Sequence, residues 1–148
     1  MKKTLITISG PTAVGKTKFS VDLAILLGCH IVSCDSRQFY KEMHIGTAVP
    51  SKNELKGIKH HCIQHKSVID NYNIKDFEKD ALKIINNEFL KKDFVVMVGG
   101  SGMYMDAVTV GIDDFPEIDD EIRNILNFQY NQKGISFLQK KLKELDPK

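Results

Sequence analysis

The chain has 148 residues, 42% of them apolar and 27% charged, the usage of one ordinary globular domain rather than of a disordered tail or a fibrous repeat. Lysine and arginine outnumber aspartate and glutamate by 21 to 19, which excludes a nucleic-acid binder that works by net charge alone. No apolar run approaches the roughly 20 residues of a membrane helix. The Met1-Lys2-Lys3 start imitates a signal peptide, but its apolar stretch is short and ends at Gly10-Pro11, so a cytoplasmic protein that enters no membrane is expected.

In chain order, residues 4–9 are a β-branched run that stops at glycine and reads as a strand. From Lys16, apolar residues recur at helical spacing (Phe19, Leu23, Leu26, Leu27) until Gly28 offers a stop. Ile31 to Cys34 is a second short strand, ending at Asp35. Residues 44–72 show no sustained period and hold Gly46, Pro50 and Gly57, so they read as loop with one helical turn. Asn73 is suited to cap an amphipathic helix marked by Phe77, Ala81, Ile84, Ile85 and Phe89. Phe94 to Val98 is nearly all apolar, as a strand buried on both faces should be, and runs into Gly99-Gly100-Ser101-Gly102. Two further helical stripes follow, Ile118 to Leu126 and Ile135 to Leu145, with no strand between them.

Charge and cysteine add little. Residues 51–66 are basic and carry His60, His61 and His65; residues 113–121, with Asp113, Asp114, Glu117, Asp119, Asp120 and Glu121, are acidic. Both read as solvated surface. Cys29, Cys34 and Cys62 share no metal-ligand spacing and are expected as reduced thiols. Adjacent histidines in a strand point to opposite faces, and no third ligand accompanies His60 and His61 in sequence, so no metal is expected there.

Strands alternating with helices predict an α/β fold with a parallel sheet covered by helices, in which ligands bind beyond the carboxyl ends of the strands. Gly10-Pro11-Thr12-Ala13-Val14-Gly15-Lys16-Thr17 fits G-x-x-x-x-G-K-[ST] at every fixed position, between a strand and a helix. In such a P-loop, glycines let consecutive backbone N–H groups converge at the positive end of the helix, Lys16 supplies a mobile charge, and Thr17 offers a hydroxyl to Mg²⁺. Enzymes that transfer a γ-phosphoryl group carry a second acid at the end of a neighbouring buried strand. Here that strand ends in Gly-Gly-Ser, which counts against an ATPase; the nearest acid at a strand end is Asp35, a metal ligand or a general base.

The combination of this loop with Asp35-Ser36-Arg37-Gln38-Phe39-Tyr40, Met43-His44-Ile45-Gly46-Thr47-Ala48, His60-His61 and Gly99-Gly100-Ser101-Gly102-Met103-Tyr104 resembles the tRNA dimethylallyltransferase (tRNA isopentenyltransferase) family, from residue 5 to about residue 147. The resemblance implies a P-loop NTPase-like sheet followed by a helical segment, divided at residues 1–112 and 113–148. It also implies transfer of the dimethylallyl group from its diphosphate to N6 of the adenine beside the anticodon in tRNA. The P-loop would then cradle a leaving group, with Lys16 and Mg²⁺ countering its growing charge. Asp35 would accept the proton of the exocyclic amine, and Thr12 and Ser101 would hydrogen-bond diphosphate or substrate. The resemblance carries tRNA contact onto Asp35, Ser36, Arg37, Gln38 and Ser101, and onto Arg123 by a looser alignment. Ser101 also has a rival reading as a helix N-cap, which it could combine with that role, and Tyr40 and Tyr104 read as wall and packing residues. A monomer with Mg²⁺ as cofactor is expected.

Members of the family usually continue past Leu145-Asp146-Pro147, so the sequence is expected to be part of a longer chain. Three other readings stay open: an adenylate-type isopentenyltransferase acting on free nucleotide, an ATP-dependent small-molecule kinase with Asp35 as base, and a non-catalytic binding module for diphosphate or RNA.

Overall fold

Alternation along each strand decides what faces what. In the computed structural model, which describes residues 2–114 and 118–147, β1 (Thr4–Ser9), β2 (Ile31–Ser33), β3 (His60–His61) and β4 (Phe94–Gly99) form one parallel sheet in the order β1-β4-β2-β3. Successive residues of β4 enter two different cores: Val95 and Met97 on one face, Val96 and Val98 on the other. The second core holds Val21 and Ala24 of α1 (Lys16–Leu27) together with Ile6, Ile8 and Ile31. The first holds Phe77, Ala81 and Ile85 of α3 (Ile74–Phe89) and Met105 and Val108 of α4 (Gly102–Thr109), closing over Phe39. Phe39 stacks on Phe77 at 5.0 Å between ring centroids, and Tyr104 meets both rings edge-on, the packing role expected of it.

The helix ends follow the sequence. Gly28 closes α1 in the left-handed conformation, its N–H bonding back to the carbonyls of Ala24 and Ile25. Asn73 caps α3, accepting from Lys75 N and Asp76 N, while the Asp76 carboxylate accepts in return from Asn73 N. Within residues 44–72 the expected helical turn is α2 (Lys52–Leu55), capped by Ser51. The same stretch also contains β3, so the sheet has four strands where the sequence shows three. Two residues have no period to read; β3 exists because His60 and His61 pair in register with Ile31 and Val32.

The chain divides into two compact units, Met1–Ile112 and Asp113–Lys148. In the second, α5 (Asp120–Lys133) is capped by Asp119, whose side chain accepts from Glu121 N, and packs on α6 (Ile135–Leu145) across Gly134. Of the acidic stretch, Glu117 lies outside the described residues. All three cysteines are free and buried, and burial pushes the Cys34 and Cys62 thiols up to about 12. Among the described residues no helix is long and apolar enough to cross a membrane.

Candidate functional site

The chain passes from β1 to β2 and β3, then returns to insert β4 between β1 and β2. This brings three strand ends together: the Gly10–Thr17 loop after β1, Gly99–Ser101 after β4 and Asp35 after β2. A cavity of about 380 Å³ lies there, lined among others by Thr12, Gly15, Lys16, Thr17, Asp35 and Gly99; Ser101, expected to reach diphosphate or substrate, and Ser36 do not line it, being turned to each other behind the wall. Asp35 reaches it because Ile31, Ser33 and Asp35 alternate onto the α1 side of β2; Ser33 lines the cavity too.

The P-loop is shaped by backbone. Ala13 at φ 68° and Gly15 at φ 92° both take the left-handed region, the first at a steric cost because it carries a Cβ. Gly15 is the N-cap of α1 and no side chain caps that end, so the first-turn N–H groups are available to an anion. The Lys16 ammonium bends back to donate to the Pro11 carbonyl at 2.6 Å, a tether that a bound phosphate would replace. Ser20 Oγ, fully buried, donates to Thr17 O at 2.9 Å and steadies the first turn. Gly10, Pro11 and Val14 belong to the loop without lining the cavity.

The opposite wall is shaped by side chains. Asp35 Oδ1 accepts from Arg37 N at 3.1 Å, and Gln38 N donates to Asp35 O at 3.0 Å, folding residues 35–38 into a turn. Ser36 N donates to Ser101 Oγ, and the two hydroxyls lie 3.3 Å apart. Ser101 occupies the N-cap position of α4, yet its side chain makes no capping bond; it ties the turn to β4 instead. Gln38 Nε2 donates to the carbonyls of both Thr47 and Ala48, at 3.0 and 3.1 Å, so its donors hold the far rim of the cavity. Arg37 is exposed and outside the cavity lining, and Arg123 is exposed on α5 in the second unit.

Thr47, Ala48, Pro50, His60 and Ile63 also line the cavity; none was assigned to the site from sequence, although Thr47, Ala48 and His60 stand in segments that carry the resemblance. The Ile45-Gly46-Thr47-Ala48 motif was a usable signal for two of them. His60 Nδ1 donates to Ile58 O at 3.1 Å, and burial holds its pKa below the ordinary value. Gly99 also has a steric duty: a Cβ there would sit 2.5 Å from Cys34 Sγ and 2.6 Å from the Cys34 carbonyl carbon. Only glycine lets β2 and β4 close at this end, where Cys34 N donates to Val98 O at 2.8 Å.

The fold and site define a class: a parallel sheet with a P-loop-type turn at its switch point and no acid ending the adjacent β4, where phosphoryl-transfer enzymes carry their second metal-binding acid. The IPP transferase family model matches residues 38–148. The tRNA dimethylallyltransferase of Flavobacterium johnsoniae is 57% identical over 98% of this chain and 47% of its own length. That of Christiangramia forsetii is 54% identical over 99% and 49%. The crystal structure of the full-length tRNA isopentenylpyrophosphate transferase from Bacillus halodurans superposes with a TM-score of 0.74 at 37% identity, covering 99% of this chain and 49% of that one. The chain belongs to the IPP transferase family. It spans about half the length of the curated relatives it matches.

Proposed function

We propose that the protein of which this chain is part transfers a dimethylallyl group from dimethylallyl diphosphate to N6 of the adenine beside the anticodon of a tRNA. One observation carries the reading: the cavity offers anion donors on the P-loop side and a carboxylate, Asp35, on the other, with no acid at the end of β4. That arrangement suits a diphosphate that leaves, not a phosphoryl group that is handed on.

In the proposed step the allylic carbon–oxygen bond breaks, the electron pair stays on the diphosphate, and the adenine N6 lone pair forms the new carbon–nitrogen bond. The N6 proton passes to Asp35. Backbone N–H groups of the loop and the Lys16 ammonium bind the diphosphate oxygens as their charge grows. Thr17, an oxygen donor on the cavity wall, is suited to hold Mg²⁺, which when bound would neutralise part of that charge. Ser101 keeps the Asp35–Gln38 turn against β4, and Ser36, Arg37 and Gln38 border the entry of a base splayed from its loop. Arg123 is proposed to touch tRNA backbone as an exposed cation.

The test uses the full-length protein with Mg²⁺, labelled dimethylallyl diphosphate and either unmodified tRNA or AMP. Label entering tRNA, and lost with Asp35→Ala, supports the reading. Label entering AMP moves the protein to the nucleotide-prenylating branch, and no transfer with ATP consumed makes it a kinase.

A further inference from the structure

A second cluster of chemically competent side chains lies at the amino ends of the strands, away from the P-loop. His30 immediately precedes β2, His61 is the second residue of β3, and Glu88 sits in the last turn of α3, which runs back against the strands. The sequence showed no third ligand for the histidine pair because two of these three residues come from other elements. His60 and His61 do face opposite sides of the sheet: His60 shares the register of Ile31, and His61 that of Val32. His61 thereby meets α3.

The Glu88 carboxylate presents one oxygen to each ring, with Oε2 at 2.9 Å from His30 Nδ1 and Oε1 at 3.2 Å from His61 Nε2. One nitrogen or oxygen from each of the three residues lies within 4.8 Å of the others. The His30 Nδ1 is buried, and the 2.9 Å contact to Glu88 is its one polar contact among the described residues. Two imidazole nitrogens converging on one carboxylate, the buried one poorly aligned for a hydrogen bond, make an arrangement that a cation can bridge. Around zinc, with bonds of about 2.0–2.1 Å, tetrahedral ligands stand about 3.3 Å apart; the two nitrogen–oxygen spacings of 2.9 and 3.2 Å, to separate oxygens of Glu88, come near this, and the whole set lies within 4.8 Å.

We propose that His30, His61 and Glu88 form a site for a first-row divalent transition metal ion of the zinc type. Two imidazoles and one carboxylate are the donor set such ions prefer over Mg²⁺ or Ca²⁺. The His30 side chain is 36% exposed although its Nδ1 is itself buried, and a water would complete the coordination. The ion would staple the two-residue edge strand β3 to β2 and α3. Because His60 and Ile63 line the phosphate cavity, the staple steadies one wall of it from the other face of the sheet.

The experiment is a calorimetric titration of the chelator-treated protein with Zn²⁺, without diphosphate or tRNA, so its outcome is independent of the prenyl-transfer reading. One equivalent should bind with a Kd of about 1 μM or tighter. Glu88→Gln and His30→Gln should each weaken it by about 10-fold or more, while His44→Gln, at an exposed histidine outside the cluster, should not. His30 is partly exposed at the start of a strand, so its variant folds even if Glu88→Gln does not, and circular dichroism checks both. Absence of one-equivalent binding, or binding that survives His30→Gln and a folded Glu88→Gln, overturns the proposal.

Discussion

The P-loop and the Asp35–Gln38 turn face one cavity but hold their shapes by different means. Between Gly10 and Thr17 the shape comes from backbone, with two residues at positive φ and a helix end that no side chain caps. Between Asp35 and Gln38 it comes from side chains, through Ser101, Asp35 and Gln38. The first loop leaves its helix end uncapped and ties only Lys16 back, to Pro11 O. The second consumes most of its polar groups in positioning one carboxylate. A substitution in the first should therefore act on ligand affinity and in the second on geometry.

The largest effect should separate the two at once. Lys16→Ala is expected to weaken diphosphate binding, whereas Asp35→Asn should lower kcat for tRNA prenylation by about 10²–10⁴-fold with diphosphate affinity retained. Equal loss of affinity in both variants would erase the contrast. Next comes Gly99→Ala, which drives a methyl group into Cys34 and should cost about 1–3 kcal/mol or more in chemical denaturation, whatever the ligand. Ser101→Ala removes the tie to Ser36 and should cost about 1 kcal/mol. Ser101→Thr should restore most of the activity, because the hydroxyl and not the side-chain size does the work.

The smallest expected effect is a pH dependence beneath the turn. His65 packs edge-on against Phe39 and Tyr72, and burial, aided by Lys66 and Lys41 and opposed by Asp80, holds its pKa below the ordinary 6.5. A histidine that protonates more readily when unfolded contributes stability that is fully present above about 6.5 and is lost as pH falls through the lower folded value. Thermal melts at pH 7.5 and 5.5 should therefore diverge less for His65→Gln than for the unaltered chain.

The same contrast explains what the sequence could disclose. The P-loop was readable because its spacing is a backbone requirement, and Asp35 could be placed at a strand end from the short run before it. The role of Gln38 was not, since nothing local says that its amide will hold Thr47 and Ala48 some ten residues on. Nor was β3, whose two residues become a strand only by finding the edge of β2. The order β1-β4-β2-β3 was equally hidden, because adjacency in a parallel sheet is settled by how whole apolar faces pack and not by any one segment. Ser101 was open between cap and ligand, and its bond to Ser36 shows a third use, as a tie between strands' ends.

That strand order has a consequence for how the molecule comes into being. A ribosome releases β1, β2 and β3 well before β4, yet β1 and β2 touch only through it. Until about ninety residues separate Thr4 from its partner Phe94, the nascent chain holds the P-loop sequence on a strand with no neighbour. Such distant pairings make for slow closure. The growing chain thus gains the cavity beside its P-loop late, in the same event that completes its sheet.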